Sequence, residues 1–572
     1  MISLNSTLKG HTADLDKTCP PGETVSRVTA RLEETGLDIL AETRRIDTGR
    51  LGIPVYMSLC GPAAKDVMPT RKQMGKGATP DQARASALME LVERYSFFTF
   101  WQSRDRTMTW SEAEETWPGR LMPLNDLALA AGGPMDPDMA RDMLDLLDWR
   151  FTPFSNLSRG VEVQAPADFF RMLNEFNGSS AGNTMVEAAL QGACEVVERH
   201  VCAVIDRTRP RLATIDPASF TDPVLSDLMA KFQAQGITVI LKDFSLGLPV
   251  PTVAALAMDP GTFPDSSEIV FTAGTATDPQ KACIRALTEV AQLAGDFCTA
   301  SQYEASGLPK FSAPAEITWL EAGTVHPISS LPTLNHPDMA RELSDLARAL
   351  DRQGYPVYAL DLTHPLLGIP ACYVAIPGFQ FRERDRHASL GMFVARKLVE
   401  SHPGPRADMG LMLLEEMDPK AHYLPFCRAL NDLNQELYIE AAQGFERAEA
   451  VQPDAPGRAL AAFYQAYALS RAEQWEEAIP HLDRTLELDR DSREYFNLRG
   501  VCHFKAGDLE AAVDDFTAAL GLDHGSAVDW ANLGMCRLKM GFRDEAAEHL
   551  TRAVDLDPSL EFAWQALDEI GG

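Results

Sequence analysis

Ten cysteines are spread through 572 residues without one Cys-x-x-Cys pair or a His-rich neighbour, so neither a disulfide framework nor a structural zinc site is expected. Cys194 and Cys202, two turns apart among apolar residues, read as packing groups. Basic runs are also missing. A formal net charge of −30 with no cluster of Lys or Arg argues against a nucleic-acid surface. No apolar stretch is long enough to cross a bilayer, and the opening Met1-Ile2-Ser3-Leu4-Asn5-Ser6 has neither the basic nor the apolar region of a signal peptide, which makes the cytoplasm the expected compartment. The chain carries no G-x-x-x-x-G-K-[ST] loop, no dinucleotide fingerprint and no H-E-x-x-H pair; Gly75-Lys76-Gly77 alone reads as a turn before a helix. With 45% hydrophobic and 23% charged residues, the chain is ordinary globular material able to bury a large core.

Three rows of carboxylates stand out against this background. They read Ser86-x-x-x-Glu90-x-x-Glu93-Arg94; Ser180-x-x-Asn183-x-x-x-Glu187-x-x-x-Gln191-x-x-x-Glu195-x-x-Glu198-Arg199; and Arg285-x-x-x-Glu289-x-x-Gln292. Steps of three and four place each row on one helix face. The second row is embedded in Val186, Ala189, Leu190, Ala193, Val197, Val201 and Ile205, and no Lys occurs from Asn183 to Ile205. A solvated face interleaves both signs, whereas a helix apolar around most of its girth is buried. Burying an uncompensated carboxylate costs several kcal/mol. Arg94, Arg199 and Arg285 neutralise only part of six glutamates, and a divalent ion is the simplest remaining compensation. Carboxylate oxygen suits Mg²⁺, which takes one or two carboxylates and completes its shell with phosphates and water. His200 lies on another face of the helix and reads as a buried, hydrogen-bonded histidine rather than a base.

Helical segments alternate with strand-like runs up to about residue 404, predicting an α/β (α+β) domain over 1–404 with strands within 53–59, 236–243, 251–258, 355–362 and 369–377. His402-Pro403-Gly404-Pro405 is read as the break, followed by a linker and degenerate helical repeat over 405–458 that includes Ala441, Phe445, Ala448 and Pro453. Over 459–572 the pairs Gly500/Gly534, Ala512/Ala546, Phe516/Leu550 and Ala519/Ala553 recur at 34-residue spacing, and Pro558 closes the last unit. That period predicts an all-α array of tetratricopeptide (TPR) type. Its two readings are a concave surface for a peptide or protein partner, and a packing module within the chain or a homodimer.

The three rows resemble the YcaO superfamily of ATP-dependent peptide-backbone-modifying enzymes. The likeness runs over roughly residues 17–382 and includes Gln73-x-Gly75-Lys76-Gly77 before the first row, Gly274-Thr275-Ala276-Thr277-Asp278-Pro279 before the third, Lys17-Thr18 with Glu23-Thr24 near the start, and Ile376-Pro377-Gly378 near the end. It implies ATP and Mg²⁺ as cofactors, with Glu90, Glu93, Glu187, Glu195, Glu198 and Glu289 facing magnesium and Lys17, Ser86, Ser180, Asn183, Gln191, Arg199 and Arg285 facing the nucleotide. The implied chemistry is activation of a peptide amide: a nucleophile adds to the carbonyl, ATP phosphorylates the resulting oxygen, and phosphate leaves. Azoline-forming members end in a proline-rich tail, whereas this sequence runs through repeats to Gly572. Thioamide formation, or modification of a ribosomal or other cellular protein, is therefore expected over azoline formation. The repeats, or a separate recognition or sulfur-donating protein, would capture the substrate. A non-catalytic nucleotide-binding scaffold is the alternative.

Overall fold

The computed structural model describes residues 1–572 except 48, 103–105, 265–266, 268, 295–307, 309–310, 312, 383, 558 and 572; Pro558 and Gly572 of the sequence reading thus lie outside the described residues. The chain forms two compact units. One comprises Met1–Arg141 with Asp148–Arg386, the other Asp142–Leu147 with His387–Gly572. Among the described residues no helix is long and apolar enough to cross a membrane.

The first unit combines three sheets with long helices. Leu40–Arg45, Val55–Cys60 and Lys72–Lys76 make an antiparallel three-stranded sheet in chain order. A five-stranded sheet runs Val270–Thr275, Thr252–Met258, Thr238–Asp243, Thr214–Asp216 and Val325–Pro327, antiparallel except for its last pair. The other runs Val161–Pro166, Phe151–Asn156, Tyr358–Asp361, Ala371–Ala375 and Ser179–Ala181, antiparallel throughout. Four of the five predicted strand segments contain one of these strands, and the fifth, 53–59, overlaps Val55–Cys60, which runs one residue further. Thr252–Met258 and Ala371–Ala375 are buried almost end to end, which explains why their sequences read as continuous apolar runs rather than alternating ones.

The helices bearing the acids dock on these sheets through backbone contact. A Cβ on Gly75 would stand 2.0 Å from Ala87 N and 2.4 Å from Ala83 O of the Pro80–Phe100 helix. On Gly274 it would stand 2.5 Å from Ala286 N and 2.6 Å from Ala282 O of the Pro279–Ala294 helix. Each strand thus reaches its helix at a glycine facing two alanines one turn apart, a separation no larger residue permits. The Met185–Thr208 helix is capped by Thr184, whose hydroxyl accepts from Glu187 N, and buries Val186, Ala189, Ala193, Val197 and Val201 between sheet and helices. Thr79 caps Pro80–Phe100 in the same way.

The second unit is helical. Successive pairs, Ala455–Arg471 with Trp475–Leu488, Arg493–Ala506 with Leu509–Leu522, and Ala527–Lys539 with Arg543–Leu556, pack face to face. Gly500 fits against Phe516, and Gly534 against Leu550, so the small and large residues spaced through the repeat are contact partners. Two boundaries differ from the sequence reading. Compact packing divides at Arg386/His387 rather than at 404, because the Leu390–Ser401 helix packs on Pro405–Met417 and Tyr423–Asn434. Residues 405–458, expected as a linker and degenerate helical repeat, hold the repeat but no linker: Tyr438–Glu449 sets Gly444 against Ala429 and buries Ala441, Phe445 and Ala448, a full helical hairpin with Tyr423–Asn434. Gly404 (φ 93°) turns the chain between two packed helices, so the Pro/Gly punctuation marks a corner and no domain edge.

Candidate functional site

The three helices meet around one cavity of about 340 Å³ in the first unit. Glu90, Glu93, Glu187, Glu195, Glu198 and Glu289 all line it. So do Lys17, Ser86, Asn183, Gln191, Arg199 and Arg285, together with Arg94 and Lys76. Residues separated by more than two hundred positions in the chain therefore share one chamber, because the contacts at Gly75 and Gly274 fix which face the first and third acidic helices turn inward.

Ser180 departs from the expectation. Serine and Asn183 precede the helix rather than belong to it: Ser180 lies in the Ser179–Ala181 strand, and its buried hydroxyl donates to Ala188 O at 2.7 Å and contacts Cys372 Sγ at 3.4 Å. Side chains alternate along a strand, so the neighbouring Ser179 reaches the acids instead. Its hydroxyl donates to Glu93 Oε1 at 2.7 Å and accepts from Arg94 Nη1 at 3.2 Å.

Each acid has a distinct environment. Arg94 lies 3.3 Å from Glu93 and 3.8 Å from Glu90. Burial nevertheless raises both carboxyls, with Glu195 adding repulsion against the attraction of Arg94. Burial likewise raises Glu198 against Arg285, Arg199 and Lys76, and its Oε2 accepts from Thr275 N at 2.9 Å. Glu187 is the exception. Burial pushes it up, but Lys17 at 3.5 Å and hydrogen bonds from Thr18 N (3.0 Å), Thr18 Oγ1 (2.9 Å) and Asn183 outweigh that and hold it below the ordinary range. Glu187 thereby ties the N-terminal segment to the start of the second acidic helix and places Lys17 and Asn183 at the chamber.

Lys76 is the residue the sequence reading missed. It lies in the strand Lys72–Lys76, not in a turn, and its ammonium pairs with Glu289. Gln73 and Gly75 are buried while Met74 and Lys76 line the cavity, so the two-residue alternation of this strand was the available signal. Burial and the nearby Arg285 lower the Lys76 ammonium from its ordinary value. Counting Lys76 and Lys17, five cations face the six glutamates, and the charge deficit read from the arginines alone is correspondingly smaller. His200 is hydrogen-bonded as expected but only partly buried: it stacks on Phe379 at 4.1 Å and its Nδ1 accepts from Gln380 N.

Among the described residues no three His, Cys, Asp or Glu stand close enough to ligate an ion by themselves. Mg²⁺ held by one or two carboxylates plus nucleotide phosphates needs no such cage. The donor set fits that arrangement: hard oxygens from three helices, carboxyls raised by burial, and two guanidinium N–H groups, Arg199 Nε and Arg285 Nε, buried without an acceptor among the described residues. Arg285 additionally donates from Nη1 to Gln191 Oε1 at 2.9 Å. A phosphate oxygen is the acceptor such groups favour.

The fold and site define an ATP- and Mg²⁺-binding domain of mixed α/β type in a chain that continues into helical repeats. The chain belongs to the YcaO family: residues 74–380 match the model described as YcaO cyclodehydratase, ATP- and Mg²⁺-binding, and residues 463–527 and 530–560 match tetratricopeptide repeats. An uncharacterised protein of Methanothermobacter thermautotrophicus is 29% identical over 381 residues, 63% of this chain and 94% of its own length. The ribosomal protein S12 methylthiotransferase accessory factor YcaO of Escherichia coli is 25% identical over 378 residues, 57% of this chain and 60% of its own. A heterocyclase solved with substrate and cofactor shares the fold with a TM-score of 0.52 at 20% identity, over 66% of this chain and 54% of that one.

Proposed function

We propose that the chain uses Mg²⁺ and ATP to phosphorylate a backbone amide oxygen of a peptide or protein. The observation that carries this reading is the convergence of six glutamates and five cations from the N-terminal segment, one strand and three helices on a single cavity in a YcaO-family chain. Glu90, Glu93, Glu195, Glu198 and Glu289 are assigned to the metal, and Lys17, Ser86, Asn183, Gln191, Arg199 and Arg285 to the nucleotide. Glu187 acts by holding Lys17 and Asn183 in place.

When bound, ATP with Mg²⁺ supplies the phosphoryl group that makes the amide oxygen a leaving group. The protein contributes position and charge. Arg199 and Arg285 present N–H groups to anionic oxygen, Ser179 and Arg94 hold Glu93, and Lys76 neutralises Glu289. With sulfide as the nucleophile, a carbon–sulfur bond forms, the carbon–oxygen bond breaks, and the oxygen departs on phosphate, leaving a thioamide. The name of the Escherichia coli relative, an accessory factor to methylthio transfer on a ribosomal protein, supports modification of a ribosomal or other cellular protein. The repeats would recruit the substrate or a sulfur-donating partner.

Phosphate release by the full chain, measured with ATP, Mg²⁺, sulfide and pools of peptides, tests the reading. Release should require a peptide and fall by at least about a hundredfold in Glu198→Gln, since a charged metal-side group in a water-poor site contributes several kcal/mol. A mass gain of sulfur for oxygen marks a thioamide, and loss of one water marks a ring. ATP binding without any peptide-dependent release would refute catalysis and leave a nucleotide-binding scaffold.

A further inference from the structure

A second cavity, of about 420 Å³, lies at the end of the first acidic helix and is lined by Phe97, Phe98, Trp101, Val67 and Phe176, with Arg171 and Glu175 among its polar groups. Its volume falls in the range of about 300–1,000 Å³ typical of ligand sites. The two cavities share a wall: the guanidinium of Arg94, which lines the acidic chamber, stacks on the ring of Phe176 at 4.0 Å. Phe97 follows Glu93 by four residues and Arg94 by three, one helical turn of about 5.4 Å along the same helix.

We infer that this groove receives a large apolar or aromatic side chain of the peptide substrate, adjacent to the amide under modification; the inference rests on the amide-activation reading above. Side chains of an extended peptide rise about 3.4 Å per residue and alternate in direction. An amide placed at the Glu93–Arg94 end of the chamber, one helical turn from Phe97, would bring a neighbouring side chain within reach of the aromatic walls. The polar groups suit a peptide backbone, which offers both acceptors and donors. Arg171 offers donors and Glu175 acceptors, and neither takes an ion-pair partner among the described residues, so both are available to the carbonyl and N–H of an incoming backbone. The indole N–H of Trp101 is buried without an acceptor among the described residues. Glu175 is also held at φ 51°, ψ −120°, a left-handed conformation unusual for a residue with a side chain. Such outliers persist where the surrounding structure imposes them, commonly at ligand sites.

Affinities of N-acetyl-Gly-Phe-Gly-amide and N-acetyl-Gly-Ala-Gly-amide for the full chain, saturated with Mg²⁺ and a non-hydrolysable ATP analogue, test the inference by saturation-transfer NMR. The Phe peptide should bind at least about tenfold tighter, the effect of moving a ring from water into apolar walls. In Val67→Arg and Phe98→Ala that ratio should fall to about one while affinity for the ATP analogue stays unchanged. Equal affinity of the two peptides for the unmodified chain overturns the inference whatever the variants do, as does a retained preference in a variant that still binds nucleotide. Failure of amide activation is separate: the Phe peptide then binds selectively, yet no peptide stimulates phosphate release.

Discussion

Glu187→Gln should loosen the N-terminal strap of the chamber without unfolding the unit around it. The carboxylate is almost wholly buried and accepts from Thr18 N, Thr18 Oγ1 and Asn183 while pairing with Lys17. A hydrogen bond to a charged group contributes about 1.5–3 kcal/mol, and the amide keeps the shape but loses the charge. Opening of the segment at Thr18 should therefore become about ten- to a hundredfold more frequent, since 1.4 kcal/mol corresponds to a factor of ten. Hydrogen–deuterium exchange of a proteolytic fragment spanning Thr18, followed at pH 7, reads this directly. Because the folded carboxyl sits below its ordinary 4.5, its contribution is present above that value and disappears as the pH falls through the lower folded one. The difference between the native chain and the variant should thus shrink on acidification below about 4.5. Exchange at Thr18 unchanged within twofold at pH 7, or equal acceleration across every fragment, would refute the strap.

Two other consequences are open to measurement. Ser179→Ala removes a hydrogen bond to Glu93 and should weaken Mg²⁺–ATP binding about tenfold in isothermal titration, whereas Ser180→Ala, which loses a buried bond to Ala188 O, should cost about 1 kcal/mol of stability and leave binding within twofold. The ring of His200, depressed by burial and then by Arg207 from 6.5 to about 4, should titrate near that lower value by NMR. The unfolded chain takes up this proton first, so the contribution of this ring to stability should fall as the pH drops from about 6.5 to 4, and His200→Gln should remove that contribution.

Much of the site is legible in the sequence because helical periodicity is a local property. The spacing of Glu90 and Glu93, of Glu187, Glu195 and Glu198, and of Arg285 and Glu289 specifies faces of individual helices, and the apolar company of the second row specifies burial. The repeats are legible for the same reason, since Gly500 and Phe516, like Gly534 and Leu550, meet within one hairpin. Strand-borne residues were harder to place. Ser180 and Ser179 differ by one position and face opposite ways, and Lys76 reads as part of a turn until its strand is paired with Val55–Cys60.

The amino-acid order alone determined which residues could act together along each helix, and that carboxylates in apolar surroundings require compensation. Only the tertiary structure decided who compensates them: Lys17 for Glu187, Lys76 for Glu289, Arg94 with Ser179 for Glu93. It also decided that the compact units divide at Arg386/His387. These pairings depend on backbone approaches at Gly75 and Gly274 between segments whose relative placement no local pattern encodes. A period of 3.6 orients a side chain about its own helix axis, but the neighbour it meets is set by packing among distant parts of the chain.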